Sequence, residues 1–163
     1  MGNLQLRYNE RLILSGLANK WQKIGSKGGM LYLTNQRLAF IANGFSSRID
    51  EIPLSEIQTS GNTFHFKTSS NVISFNMTIS MKSGEKVGFV VTRNQKDIWI
   101  EKIGQAIFEN ISSNISMPDM PAEVRAQVMP QIKVIDCKSC GAFIVVMSGS
   151  LAKCEYCGRP AVG

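Results

Sequence analysis

The stretch Ile73-Ser-Phe-Asn-Met-Thr-Ile-Ser-Met-Lys82 alternates apolar and polar residues along its whole length. Side chains on an extended chain point alternately to opposite faces. The pattern therefore predicts a strand that buries Ile73, Phe75, Met77, Ile79 and Met81 on one side. Ser83-Gly84 supplies turn chemistry, and Val87, Phe89 and Val91 continue the inward pattern on a return strand, so the two segments form an antiparallel hairpin. Toward the N-terminus, residues 11–17, 30–34 and 37–42 are each rich in apolar or aromatic side chains. Gly28-Gly29, Asn35-Gln36 and Asn43-Gly44 punctuate them. A further pair of strands is expected at residues 48–52 and 56–60. Around His65 the period is lost, and this single histidine, with no metal-ligating or nucleophilic neighbour, reads as a structural or surface residue.

Beyond Thr92 the period becomes helical. Trp99, Ile100, Ile103, Ala106, Ile107 and Ile111 share one arc of about 140°, while Glu101, Lys102, Gln105 and Glu109 take the other side. Asn94 is placed to cap the helix. One amphipathic helix after roughly seven strands, without strand–helix–strand alternation, predicts a mainly β (α+β) fold. Its expected form is a seven-stranded antiparallel barrel or sandwich closed by a C-terminal helix. Trp99 is expected to anchor the core, because its neighbours on the arc are aliphatic.

The segment Gly29-Met-Leu-Tyr-Leu-Thr-Asn-Gln-Arg-Leu-Ala-Phe-Ile41 resembles the signature of GRAM domains, in which a strand ending in Leu-Thr turns tightly into a strand that opens with Arg. Ile52-Pro-Leu-Ser-Glu-Ile57 is similar to the next motif of that family, and the hairpin followed by a Trp-bearing helix matches its pleckstrin-homology-like (PH-like) fold. The likeness spans residues 10–111, with a looser relation to the GLUE branch of the superfamily. It implies a non-catalytic binding module for phosphoinositides, other anionic lipids or proteins. Lipid headgroups in such folds meet the loop between the first two strands, here Lys20-Trp-Gln-Lys-Ile-Gly-Ser-Lys-Gly-Gly29. The resemblance thus implies a site in which Lys20, Lys23 and Lys27 face phosphate and Trp21 sits at interfacial depth. Three cations worth about 1 kcal/mol each give weak, salt-sensitive attachment. Gly28 and Gly29 stand where the phosphoinositide-binding members carry a Lys/Arg-x-Arg element, and the alternative is a solvated hairpin tip. Arg37 matches a family position and is expected to brace its turn.

The chain's four cysteines fall in two pairs, Cys137-Lys-Ser-Cys140 and Cys154-Glu-Tyr-Cys157, each followed by glycine. A two-residue spacer lets both sulfurs of a pair turn onto one ion, and the glycines free the backbone to curl around it. Cys137, Cys140, Cys154 and Cys157 are therefore read as the ligands of one structural Zn²⁺, with an iron–sulfur centre as the minor alternative. The closed tetrahedron leaves no open position for catalysis. With a short strand at residues 143–147 and a turn at Ser148-Gly-Ser150, the tail is similar to a zinc ribbon. The expected organisation is residues 1–112 as the GRAM/PH-like domain, 113–133 as a linker with a short helix over 121–129, and 134–163 as the ribbon, with separate cores.

The formal net charge of +6 is uneven: residues 1–112 hold thirteen Lys/Arg against eight Asp/Glu, and residues 113–163 five against four. The surplus favours anionic surfaces. No apolar run is long enough to span a bilayer, and Met1 to Tyr8 shows no apolar secretory pattern. These features lead to the expectation of a cytoplasmic protein, soluble or peripheral at a membrane. Neither G-x-S-x-G nor G-x-x-x-x-G-K-[ST] is present, which argues against an enzyme. Nucleic-acid binding has thin support, since the ribbon offers only Lys138, Lys153 and Arg159 as cations and Phe143 and Tyr156 for stacking. The chain reads as an adaptor: the first module binds anionic membrane lipid or a protein, and the ribbon holds a partner, a second copy of the chain, or only caps its neighbour. The alternative is a nucleic-acid-associated or protein-docking zinc-ribbon protein that binds no lipid.

Overall fold

The computed structural model describes residues 4–22, 24–44, 49–60, 63–70, 74–114, 132–147, 152–154 and 156–161 of the chain. Strands β1 (Leu12–Trp21), β2 (Ser26–Thr34), β3 (Arg37–Ala42) and β4 (Ile49–Pro53) form an antiparallel meander. A short β5 (Thr59–Ser60) pairs with β6 (Thr63–Ser70), and β7 (Ser74–Ser80) and β8 (Lys86–Thr92) follow. Helix α1 (Lys96–Asn114) comes next, then β9 (Ile132–Asp136) and β10 (Phe143–Met147), and finally a small separate hairpin of β11 (Ala152–Lys153) and β12 (Pro160–Ala161). The large sheet runs β4-β3-β2-β1-β8-β7-β6-β10-β9, with β5 on β6. Its curl follows from β1, which pairs with β2 along its length and hands over to β8 at Asn19 and Lys20.

The 73–82 alternation becomes β7 over Ser74–Ser80, where Phe75, Met77 and Ile79 are fully buried and the residues between them are partly exposed; Met81 is only partly buried, and Ile73 lies outside the described residues. Phe89 and Val91 meet them from β8, and Leu31, Leu33, Leu38 and Phe40 complete the inner wall of the curled sheet from β2 and β3. Trp99 is 1% exposed and, with Ile100, Ile103, Ala106, Ile107 and Phe108, fills this half-barrel. The Asn94 expectation is corrected, because Arg93–Gln95 form a 3-10 turn leading into α1 and Asn94 lies inside that turn.

Among the described residues, ten strands form the sheet where seven were expected. Of the fifth expected strand, residues 56–60, only Thr59–Ser60 (β5) is strand, while Glu56 ends the 3-10 turn Leu54–Glu56 and Ile57 makes an isolated bridge to Met81. The full strand is instead β6, which contains His65. Its polar sequence hides it from periodicity, and its pairing with β7 and β10 supplies what the pattern lacks. The remaining difference is β9, and β10, whose strand was expected at 143–147 but within a separate ribbon. The helix expected over 121–129, most of the 113–133 linker and the Ser148–Ser150 turn lie outside the described residues.

The expectation of two separate cores is also corrected. Strand β10 is antiparallel to β6, with Phe143 opposite Phe66 and Val145 opposite Phe64, so the cysteine-bearing hairpin continues the main sheet. Val145 is fully buried within the main core, whereas Ile144 and Val146, on the other face of the strand, belong to a second cluster with Ile135, Ala142, Ala152, Cys137 and Cys154. A strand apolar on both faces must be covered on both.

The Thr34–Arg37 turn is held from several sides. The Arg37 side chain is 4% exposed and forks onto Glu10, Nε donating to Oε1 at 2.7 Å and Nη2 to Oε2 at 2.8 Å. Arg37 Nη1 also donates to Glu51, whose other oxygen accepts from Arg7. The Thr34 hydroxyl donates to Glu10 at 2.7 Å and accepts the Arg37 N–H at 3.0 Å. Asn35 ties the turn to the N-terminal segment, accepting the Arg11 N–H at 2.7 Å and donating to the Asn9 carbonyl at 3.1 Å. Burial alone raises the Glu10 pKa, but hydrogen bonds from Arg37, the Arg7 N–H and Thr34 outweigh it and hold the carboxyl below its ordinary 4.5.

Arg37→Ala leaves the Glu10 charge buried and unpaired and is expected to cost about 3–5 kcal/mol, whereas the Glu10→Gln/Arg37→Met double variant costs less. Chemical denaturation of the three proteins checks this. Because the folded pKa of Glu10 is depressed, its contribution is present above the unfolded value and is lost as pH falls through the folded one. Glu10→Gln should therefore flatten the acid side of the stability profile and leave its neutral-to-alkaline shape unchanged.

Candidate metal centre and binding hairpin

Each cysteine pair is the turn of a hairpin. Cys137–Cys140 joins β9 to β10: the Gly141 N–H reaches back to the Cys137 carbonyl at 2.8 Å, and the Cys137 N–H donates to the Ala142 carbonyl at 2.8 Å. The second pair repeats the pattern between β11 and β12, with Gly158 N–H to Cys154 carbonyl at 2.7 Å and Cys154 N–H to Arg159 carbonyl at 2.8 Å. Gly141 and Gly158 take φ of 70° and 71°, the left-handed conformation that their lack of Cβ makes accessible. The two turns bring all four sulfurs within 4.8 Å of one another.

The nearest sulfur pairs run between the turns, Cys137 to Cys157 and Cys140 to Cys154, each at 3.5 Å. A disulfide requires about 2.05 Å. Four sulfurs at about 2.3 Å from a central ion at tetrahedral angles lie about 3.8 Å apart, so the cluster has the size of a four-thiolate metal site. Cys137 and Cys154 are buried, while Cys140 and Cys157 are exposed.

The thiols do not ionise alike. Backbone N–H groups of Ser139 and Cys140 point at the Cys137 sulfur and draw its pKa down to about 6. At Cys140 the Ala142 N–H acts in the same direction, but desolvation and the sulfurs of Cys154, Cys137 and Cys157 outweigh it and push the thiol up to about 12. Cys157 is raised as well: the Arg159 N–H is overcome by desolvation and by Cys137 and Cys154. Of these three, Cys137 is thus the thiol most easily deprotonated toward a cation, and Cys140 and Cys157 are the ones held protonated without one.

The implied ligand residues of the first hairpin are partly brought together. Lys20 and Lys27 are cross-strand partners on β1 and β2, and Lys20 Nζ is 2.9 Å from Asp50. Trp21 at the end of β1 is 53% exposed and lies over Gly88 of β8. Lys23 lies outside the described residues. The turn is closed by the Gln22 N–H donating to the Gly25 carbonyl at 3.1 Å, and it lifts Ile24 to 93% exposure. Reasoning from sequence missed both Ile24 and Asp50. An apolar residue in a turn motif was a signal for the first, but nothing local signals the second. Gly29 serves packing: a Cβ there would meet the Ile41 carbonyl and the Phe40 ring, the latter at 2.7 Å.

The Vps36 N-terminal PH domain superposes on this chain with a TM-score of 0.53 at 18% identity, covering 67% of this chain and 86% of that one. The C-terminal domain of an unknown protein from Leishmania infantum aligns with a TM-score of 0.47 at 15% identity, over 60% of this chain and 85% of that one. No protein-family model and no curated protein sequence matches the chain. The fold is PH-like. On it stands a four-cysteine cluster that could hold a metal ion.

Freshly purified protein is expected to carry about one metal ion per chain, and Cys154→Ser to lose it. Since protons compete for the same sulfurs, metal should be retained at neutral pH and released as the pH is lowered into the acid range. Elemental analysis after dialysis across this range checks both. Near-zero metal with four freely titrating thiols at neutral pH overturns the assignment.

Proposed function

We propose that the protein is a non-catalytic recognition module of the GRAM type whose ligand is an anionic membrane lipid. The observation that carries this reading is the β1–β2 hairpin tip, where Trp21 and Ile24 are exposed beside Lys20 and Lys27. Exposed apolar and aromatic groups beside cations suit a bilayer interface, in which rings and aliphatic chains enter the headgroup layer and ammonium groups meet phosphate. The GRAM assignment rests on the 29–41 motif, and the buried Arg37 fork gives that motif its physical role in bracing the β2–β3 turn.

The metal is zinc in this reading, because four sulfurs and no other ligand complete a closed tetrahedron around an ion with no geometric preference of its own. It holds the second hairpin pair and performs no chemistry. Zinc thiolates suit a reducing compartment, consistent with a cytoplasmic protein acting at a membrane surface. The Lys20–Asp50 ion pair favours a second reading, a protein ligand, because it withdraws one cation from a headgroup.

Co-sedimentation with vesicles separates the two. The full chain should ignore neutral phosphatidylcholine vesicles, bind vesicles containing phosphatidylserine at low salt, and release them as salt rises. Ile24→Asp should weaken binding at least about fivefold, the equivalent of about 1 kcal/mol, with unchanged melting temperature, and charge reversal at Lys20, Lys23 and Lys27 should abolish it. A native protein that ignores anionic vesicles at low salt leaves protein docking as the function.

A further inference from the structure

We infer that the four-cysteine centre is a metal-dependent latch on the PH-like sheet itself, controlling closure of the main core as well as the fold of the tail. The inference rests on the cysteines binding a metal and goes beyond it. Among the described residues, β10 is what joins the two clusters. Val145 enters the main core, while Ile144 and Val146 pack beside Cys137 and Cys154. Phe143 stands edge-on to Phe75 of β7 with ring centroids 6.2 Å apart, and Lys96 at the start of α1 lies 4.3 Å above the Phe143 ring.

The approach of β10 to the helix is close enough to need a glycine. A Cβ on Gly104 would stand 2.6 Å from Val145 Cγ1, a separation that real Cβ atoms do not show. Gly104 carries an ordinary helical conformation, so its place in the middle of α1 costs about 1 kcal/mol relative to Ala, and the seating of Val145 is what occupies the space gained. The cluster on the far face of β10 holds five apolar residues and two of the cysteines. A core of that size does not hold a hairpin in place without a crosslink, and the ion supplies it by tying the β9–β10 turn to the β11–β12 turn. When the ion leaves, β9–β10 loses its outer cover, the β6 edge loses its partner, and the Gly104 face of α1 opens.

By linkage the coupling runs both ways: whatever unseats β10 weakens metal binding, and loss of metal loosens β6 and α1. Hydrogen exchange of the full chain, zinc-loaded and after chelation under reducing conditions, tests the second arm. Faster exchange is expected in β6 and in the Gly104–Phe108 part of α1 together with β9 and β10, while β2 and β3 stay protected. A rise confined to residues 132–161 overturns the latch and leaves the metal assignment standing. A chain that takes up no zinc overturns both, and the metal content measured beforehand tells the cases apart.

The first arm uses Gly104→Ala, distant from the cysteines in sequence and of higher helix propensity than the native residue. It should weaken zinc affinity about tenfold or more in competition with a chromophoric chelator, and Gly104→Ala/Val145→Ala should recover part of the loss by removing the colliding methyl groups. Unchanged zinc affinity in Gly104→Ala, or a double variant weaker than the sum of its parts, overturns the proposal.

Discussion

A strand that is apolar on both faces cannot end a sheet exposed to water, and β10 is such a strand. Ile144, Val145 and Val146 are each 2% exposed or less, and the burial of each contributes about 1.5–3 kcal/mol. The curled sheet and α1 cover one face, with β7 contributing from the sheet. The other face is covered by the small cluster that includes two of the cysteines. The sheet reaches beyond the seven strands expected because β10 and β9 add to the β6 edge, and the four-cysteine cluster lies on the side of the smaller cover. The hairpin that looks like an appendage in sequence is therefore part of the architecture of the main unit.

At the opposite edge the organising element is the Arg37–Glu10 pair. Two charges out of water stabilise a structure only when their hydrogen bonds are fully made. Here Arg37 is met by Glu10, Glu51 and the Gln5 carbonyl, and Glu10 by Arg37, Thr34 and the Arg7 N–H. The network closes the β2–β3 turn and straps residues 5–11 across it. Asn110 of α1 adds a hydrogen bond of 3.3 Å to the Asn35 carbonyl, so the same turn also receives the end of the helix. The hairpin tip that carries Trp21 and Ile24 lies at the far end of β1 and β2 from this turn, free of these constraints and open to solvent.

Much of this was legible in the chain. Strict alternation over 74–80 and the arc from Trp99 to Ile107 are local patterns whose burial depends only on which face turns inward, and both appear as read. The cysteine spacing was equally informative about which sulfurs come together, because turning both sulfurs of a pair to one side is a short-range geometric demand that neighbouring residues and the following glycine satisfy. Strand β6 escaped notice because its residues carry no period of their own, and its place is set by the strands on either side. Lys20 was expected to face phosphate, but its charge is met by Asp50, thirty residues away along the chain.

The sequence by itself determined most of the elements, the helix face that is buried and the four cysteines that come together, since each follows from periodicity or spacing within a few residues. Only the tertiary structure decided that β10 joins β6, that Gly104 makes room for Val145 and that Arg37 finds Glu10. Those contacts connect residues 27 to 83 positions apart, and no local pattern records which distant strand edge or carboxylate will meet them. The physical reason is that a strand's unpaired backbone edge and a buried charge each state a need, while the partner that meets it is chosen by the fold as a whole.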